Sequence, residues 1–160
     1  MTVPKLFARF EIVDGYMEGG LQGEFGGFVW GRFKDANVGY MQFPNFEAQD
    51  VEAFQAEVDA AFLALADTET IVFDVRTNPG GFDVQGLFVA SHCTSERVLA
   101  FTKRTKDGSN YTDAEEVYIG PGAAANVYNG AAIVITSGST VSAGESFTLA
   151  MAQLPRTTLL

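Results

Sequence analysis

The chain has 160 residues, of which 47% are hydrophobic, and this size and composition suit one domain with a substantial core rather than a disordered chain. Its 20 acidic and 10 basic residues give a formal charge of −10, which repels phosphate backbones and excludes nucleic acid as an expected partner. The single cysteine, Cys93, excludes an internal disulfide and a cysteine-based zinc site. No other metal-ligand pattern stands out, so we expect neither a metal nor a cofactor.

The N-terminal segment carries no recognisable export signal. Residues 1–10 lack a long apolar run, and no later stretch reaches the length of a membrane span. We therefore expect no signal peptide and no transmembrane segment in this chain. Its compartment and its oligomeric state do not follow from the sequence.

The first half of the chain predicts hairpins followed by a crossover unit. Short alternating runs broken by glycine pairs predict β-hairpins over residues 6–46. Between Glu47 and Ala66 apolar residues recur at spacings of three and four, which predicts an amphipathic helix with Asn45 or Gln49-Asp50 as its N-cap. A strand over 71–75 follows, so strand, helix and parallel strand form a right-handed crossover.

The second half continues the alternation of strands and helices. The predicted elements are a helix over 84–92, a strand over 97–102, a polar connection over 103–125, a strand over 131–136 and a helix over 143–153. A turn near Pro155 then leads into an apolar strand that reaches Leu160. This alternation predicts an α/β fold with a mostly parallel sheet.

The first candidate site follows the strand over 71–75, which runs straight into the turn Asn78-Pro79-Gly80-Gly81. Glycine permits positive φ and close approach, so the amides of Gly80 and Gly81 are candidate oxyanion-hole donors. The same residues also suit a plain turn between a strand and a helix, and the two interpretations are compatible.

The second candidate site is Ser142, at the junction between the strand over 131–136 and the last predicted helix. A serine presented there is a candidate nucleophile, with the amide of Ala143 as a second oxyanion donor. Ser142 followed three residues later by Glu145 is also a capping box, so a purely structural N-cap is the alternative. Glu145 is either an ordinary first-turn acid or a group that orients a base or a substrate amine.

Three blocks in this order resemble the S41 family of serine peptidases, which includes the C-terminal-processing (tail-specific) proteases and the tricorn core enzymes. The blocks are Val38-Gly39-Tyr40 with Asn45-Phe46, D-V-R-T-N-P-G-G at 74–81 and T-V-S-A-G-E-S-F at 140–147. The resemblance implies a ClpP/crotonase-like β-β-α spiral. It divides a single S41-type domain into a β-rich part, residues 1–37, and the family core, residues 38–160.

The resemblance also implies a serine endopeptidase that acts on a peptide or protein substrate, with Ser142 as its nucleophile. Proteins of this family are often extracytoplasmic, in the periplasm or secreted. Their base is a downstream lysine, or an upstream histidine with a downstream glutamate. Here no lysine follows Lys106, and the only histidine, His92, comes after the Gly80-Gly81 turn. We therefore expect a domain truncated at its C-terminus, with the base beyond residue 160, or an inactive one.

Two alternatives to a peptidase remain open at this point. The first is a catalytically inactive S41-like domain that binds a peptide or an apolar ligand, comparable to the retinoid-binding modules that resemble this family. Its support is the set of aromatic residues in the first third of the chain: Phe25, Phe28, Trp30, Phe33, Phe43 and Phe46. Core packing is the competing explanation for them. The second is crotonase-type acyl-CoA chemistry, for which the sequence lacks a basic phosphate-binding patch.

Overall fold

A five-stranded sheet forms the centre of the computed structural model, which describes residues 13–23, 28–121 and 127–160. In chain order the elements are β1 (Val29–Arg32), β2 (Val38–Gln42), α1 (Val51–Ala64), β3 (Thr70–Asp74), α2 (Asp83–Ser91), β4 (Val98–Lys103), β5 (Lys106–Asp107), β6 (Asn110–Tyr111), β7 (Glu115–Ile119), β8 (Ala131–Ile135), α3 (Ala143–Ala152) and β9 (Thr157–Leu159). The strand order of the sheet is β1-β2-β3-β8-β9.

The sheet is mostly parallel, as the alternation of strands and helices predicts. Strands β2, β3, β8 and β9 pair in parallel, and only β1 is antiparallel to its neighbour β2. The pair β1–β2 confirms the predicted hairpin in that part of the chain. The predictions for residues 6–12 and 24–27 lie outside the described residues.

Helix α1 begins where the polar residues before it predict. Asp50 is the N-cap, and its carboxylate accepts a hydrogen bond of 3.0 Å from the amide of Ala53. The buried face of the helix carries Phe54, Val58 and Phe62, at spacings of four. The amphipathic pattern therefore gives the element and its buried face correctly, while its ends lie two to four residues inside the predicted ones.

The prediction of a plain polar connection over 103–125 is wrong. Strand β7 lies within it and pairs antiparallel with β4, from Val98 opposite Ile119 to Lys103 opposite Glu115. Glu115 and Glu116 are exposed, and only Ile119 is buried. The residues of β7 do not alternate between apolar and polar, so the sequence shows no period-2 pattern here and the pairing depends on β4 reaching it in space. Residues 122–125 lie outside the described part of the chain.

Phenylalanine rings hold α3 against the sheet. Phe147 of α3 is fully buried, and its ring centroid lies 5.8 Å from those of Phe46 and Phe73 and 6.4 Å from that of Phe43. Such contacts add to the burial of the rings themselves, which is on the order of 2 kcal/mol each. The N-terminus of α3 is therefore held at a defined place relative to β2 and β3. No helix in the described residues is both long and apolar enough to cross a membrane.

Candidate active site

The two predicted strand-to-helix turns meet at the carboxyl ends of the inner strands β3 and β8. Strands β3 and β8 are parallel neighbours with Asp74 opposite Ile135, so the turns that follow them leave the sheet side by side. Three hydrogen bonds join these turns: Ser137 Oγ donates to Arg76 O at 2.5 Å, Thr140 Oγ1 to Val75 O at 2.8 Å and Val141 N to Asn78 O at 3.1 Å. The structure thereby brings the turn 78–81 against the turn that presents Ser142.

Ser142 has an unusual backbone conformation at the start of α3. Its φ of +55° and ψ of −122° make it the only non-glycine residue with positive φ among the described residues. A conformation of this kind costs about 1–3 kcal/mol and persists only where the surrounding structure enforces it. Ser142 is also exposed. The sharp turn therefore presents the serine side chain to solvent at the edge of the sheet.

The Ser142 backbone is also part of the cap of α3. Its amide donates a hydrogen bond of 2.7 Å to Glu145 Oε2, which is the glutamate arm of the predicted capping box. Glu145 is exposed and lies in the first turn of the helix. Helix capping thus accounts for one contact of Glu145, but it does not account for the φ of Ser142.

The backbone amides around Ser142 differ in what they bind. The Gly80 amide donates to Asn78 Oδ1 at 2.9 Å, so it is already paired. Within the described residues, the amides of Gly81 and Ala143 donate to no acceptor. Gly81 is exposed, whereas Ala143 is buried, and a buried amide without an acceptor is rare in folded proteins. Two of the three sequence-predicted oxyanion donors therefore have no acceptor among the described residues.

A buried charge cluster stabilises the end of β3. Asp74 accepts hydrogen bonds from Tyr40 Oη at 2.8 Å, from Arg76 Nε at 2.9 Å and from the Arg76 amide at 3.1 Å. Burial by itself raises the pKa of Asp74, but these donors outweigh it and hold that pKa below its usual range. Burial, and next the charge of Asp74, raise the pKa of Tyr40. The cluster is structural and keeps the turn after β3 in place.

The only histidine in the sequence, His92, makes its contacts within the core. His92 is the C-cap of α2 and is 1% exposed. Its Nε2 lies 2.8 Å from Asp59 Oδ1, its Nδ1 lies 3.0 Å from Phe88 O, and its ring stacks on Phe62 at 4.4 Å. Both ring nitrogens are thus occupied within the core. In the part of the chain that the structure describes, no basic side chain bonds to the hydroxyl of Ser142.

Sequence reasoning missed the residues that join the two turns. It placed Asn78 only in a turn and gave no role to Ser137 or Thr140. Their hydroxyl and amide groups bond to backbone atoms more than thirty residues away in the chain. A polar residue immediately before Pro79-Gly80 was a weak signal, because polar residues are common in turns for local reasons.

Residues 37–160 match the sequence model of peptidase family S41. A candidate peptidase from Parabacteroides merdae has a similar structure, with a TM-score of 0.79 and 26% identity over 93% of this chain and 47% of that one. The photosystem II D1 C-terminal processing protease shares the fold, with a TM-score of 0.59 and 22% identity over 76% of this chain and 29% of that one.

A candidate S41 protease from Bacteroides fragilis also shares the fold, with a TM-score of 0.59 and 16% identity over 87% of this chain and 36% of that one. A search of curated proteins gave no match. The chain spans less than half the length of each of these three structures.

Proposed function

Because the chain belongs to peptidase family S41, we propose that it cleaves peptide bonds of a peptide or protein substrate through a serine acyl-enzyme, with Ser142 as the nucleophile. The observation that carries this proposal is the backbone of Ser142, at φ +55° and ψ −122°, with Gly80 packed against it and with the amides of Gly81 and Ala143 unpaired among the described residues. Strained strand-to-helix turns present the nucleophilic serine in the same way in other hydrolases.

Helix capping alone does not explain the conformation of Ser142. An N-cap residue usually has extended φ and ψ, and the N-cap of α1 follows that rule: Asp50 has φ −88° and ψ 93°. Ser142 departs from it, at a cost of about 1–3 kcal/mol that a cap does not require. The strain is what we expect where a side chain must face a substrate.

In the proposed reaction the Ser142 hydroxyl oxygen attacks the carbonyl carbon of the scissile peptide bond while a base removes its proton. The carbonyl oxygen becomes an oxyanion, which accepts hydrogen bonds from the amides of Gly81 and Ala143. One such donor contributes about 3–4 kcal/mol to transition-state stabilisation. The C–N bond then breaks, the amine leaves with a proton, and water hydrolyses the ester to restore Ser142.

The role of Gly80 in this proposal differs from that of Gly81. Because the Gly80 amide is bonded to Asn78, it orients the turn rather than donating to the oxyanion. A Cβ at Gly80 would lie 2.7 Å from Ser142 Cβ and 3.1 Å from its Oγ, so glycine here lets the turn approach the serine. The general base that would remove the Ser142 proton remains a prediction from the family resemblance, either a lysine or a histidine with a glutamate. In this proposal Glu145 caps α3.

The aromatic residues support the peptidase over a domain that binds an apolar ligand. Phe28, Trp30, Phe43 and Phe46 are all buried, and Phe28 stacks on Phe43 with centroids 4.4 Å apart. Phe33 is half-buried and packs edge-on against Tyr40, and Phe25 lies outside the described residues. The four buried rings fill the core, which removes them as evidence for a ligand pocket.

Covalent labelling tests the proposal. A fluorophosphonate probe should label the full-length protein once, and Ser142→Ala should abolish the labelling. Ser139→Ala is the matched control, because Ser139 is an exposed serine in the same turn and should leave the labelling unchanged. The wild type and Ser139→Ala should also hydrolyse a mixed peptide pool, and Ser142→Ala should not. Labelling that persists in Ser142→Ala, or none in the folded wild type, would contradict a serine peptidase.

A further inference from the structure

We propose that Asn78 is a positioning residue that sets the distance between the oxyanion-hole turn and the nucleophile turn, with Thr140 as a second link between them. This inference rests on the proposed function of Ser142. It concerns a residue that does not touch the substrate and acts through the amides and the serine that do.

The side chain of Asn78 holds the oxyanion-hole turn. It is fully buried, its Nδ2 donates to Phe43 O at 2.9 Å, and its Oδ1 accepts from the Gly80 amide at 2.9 Å. The first bond ties the side chain to the end of β2, and the second fixes the peptide before Gly80. The Gly80 amide is thereby paired with Asn78, whereas the amide of the next residue, the exposed Gly81, has no acceptor among the described residues.

The backbone of Asn78 holds the nucleophile turn. Its carbonyl oxygen accepts a hydrogen bond of 3.1 Å from the amide of Val141, the residue just before Ser142. A Cβ added at Gly144 would lie 3.2 Å from both Asn78 O and Asn78 Oδ1, so the first turn of α3 also packs directly on Asn78. One residue therefore contacts the end of β2, the glycine turn, the serine turn and α3.

Thr140 makes the second link in the same place. It is 9% exposed, its Oγ1 donates to Val75 O at 2.8 Å, and the same oxygen accepts from the Ser137 amide at 3.0 Å. The hydroxyl thus closes the serine turn and fastens it to the strand end that precedes Asn78. Displacements near 1 Å in a catalytic arrangement reduce rates on the order of 100-fold, so links of this kind bear on the catalytic rate as well as on stability.

Asn78→Asp is the most informative change. Ionised aspartate has the same shape and still accepts from the Gly80 amide, but it cannot donate to Phe43 O and places a carboxylate oxygen against that carbonyl oxygen, so the assay is run at a pH high enough to keep this carboxyl ionised. We expect the maximal rate of fluorophosphonate inactivation, kinact, to fall more than tenfold while the probe concentration for half-maximal inactivation, KI, stays within about twofold. Peptide hydrolysis should likewise lose kcat with KM nearly unchanged.

Tyr128→Phe controls for simple loss of stability. Tyr128 is buried, and its hydroxyl donates to Thr68 O at 2.9 Å, so this variant also loses a buried hydrogen bond. Its kinact should equal that of the wild type at a temperature where thermal melting shows both variants fully folded. A kinact for Asn78→Asp within twofold of the wild type would overturn the proposal, and so would an equal fall in Tyr128→Phe.

Thr140→Val decides the question if Asn78→Asp does not fold. Valine keeps the size of threonine but removes both hydrogen bonds of the hydroxyl, so kinact should fall at constant KI. An unchanged kinact in folded Thr140→Val would overturn the proposal. A folded wild-type protein with no labelling at all would instead refute the proposed function, and this inference with it.

Discussion

Gly80 and Ser142 face each other so closely that only glycine fits at position 80. A Cβ there would lie 2.7 Å from Ser142 Cβ, closer than such atoms approach in folded proteins. Gly80 also has φ +119°, which other residues rarely adopt. The contact joins two turns that are more than sixty residues apart in the chain and that follow the neighbouring parallel strands β3 and β8.

We therefore expect Gly80→Ala to abolish fluorophosphonate labelling and to lower the free energy of unfolding by about 1–3 kcal/mol, because the alanine must displace Ser142 and adopt a strained φ. Gly138→Ala is the control, since a Cβ at Gly138 meets nothing within 4 Å. Labelling kinetics and denaturant unfolding measure both effects. Labelling of Gly80→Ala at the wild-type rate would disprove the close contact.

Replacing Ser142 by glycine should stabilise the protein while removing its labelling. Glycine adopts φ +55° without strain, so relief of the backbone conformation should raise the free energy of unfolding by about 1 kcal/mol. Ser142→Ala keeps the strain and should not gain this stability. Urea unfolding of the two variants gives the comparison. If Ser142 is only an ordinary cap, Ser142→Gly is neutral or destabilising by a few tenths of a kcal/mol.

The cluster of Tyr40, Asp74 and Arg76 should make stability depend on pH in acid. The folded state lowers the pKa of Asp74, so its stabilising effect is fully present above the unfolded pKa of about 3.9 and is lost as the pH falls through the lower folded pKa. We expect Tyr40→Phe to cost about 2 kcal/mol at pH 7, because it removes a hydrogen bond to a buried carboxylate, and to cost less only as the pH falls through the lowered folded pKa.

Tyr118→Phe is the matched control for that experiment. Tyr118 donates to Glu116 Oε2 at 2.6 Å, but this pair is exposed, so its loss should change stability by less than about 0.5 kcal/mol at any pH. Thermal melting from pH 3 to pH 7 measures the differences. A cost of Tyr40→Phe that already falls between pH 7 and pH 5 would show that Asp74 is not held ionised by its partners.

His92 should matter for stability and not for catalysis. His92→Ala removes a buried ring that stacks on Phe62 and breaks the hydrogen bond to Asp59, so we expect a loss of about 2–4 kcal/mol in the free energy of unfolding. The labelling rate of the folded variant should stay within about twofold of the wild type. A fall of tenfold or more, measured well below the melting temperature, would identify His92 as part of the catalytic machinery.

The long amphipathic helix and the buried strands were predictable because their signals are local. The apolar spacing from Val51 to Phe62 and the polar residue at Asp50 specify α1 without reference to other elements. Strand β7 was not predictable, because its few buried side chains are defined by pairing with β4. The candidate site divides in the same way: its glycine turn and its serine are local signals, whereas the contacts between the two turns depend on the tertiary structure.

The sequence by itself determined that this chain forms an α/β domain, that a glycine turn follows one buried strand and that Ser142 begins a helix after another. These properties depend on residue types at short spacing. Only the tertiary structure decided that Gly80 lies against Ser142 and that the Gly80 amide bonds to Asn78, while the Gly81 amide has no acceptor among the described residues. It also decided that the His92 ring stacks on Phe62 and bonds to Asp59. These contacts join segments far apart in the chain, so they exist only once the sheet has formed.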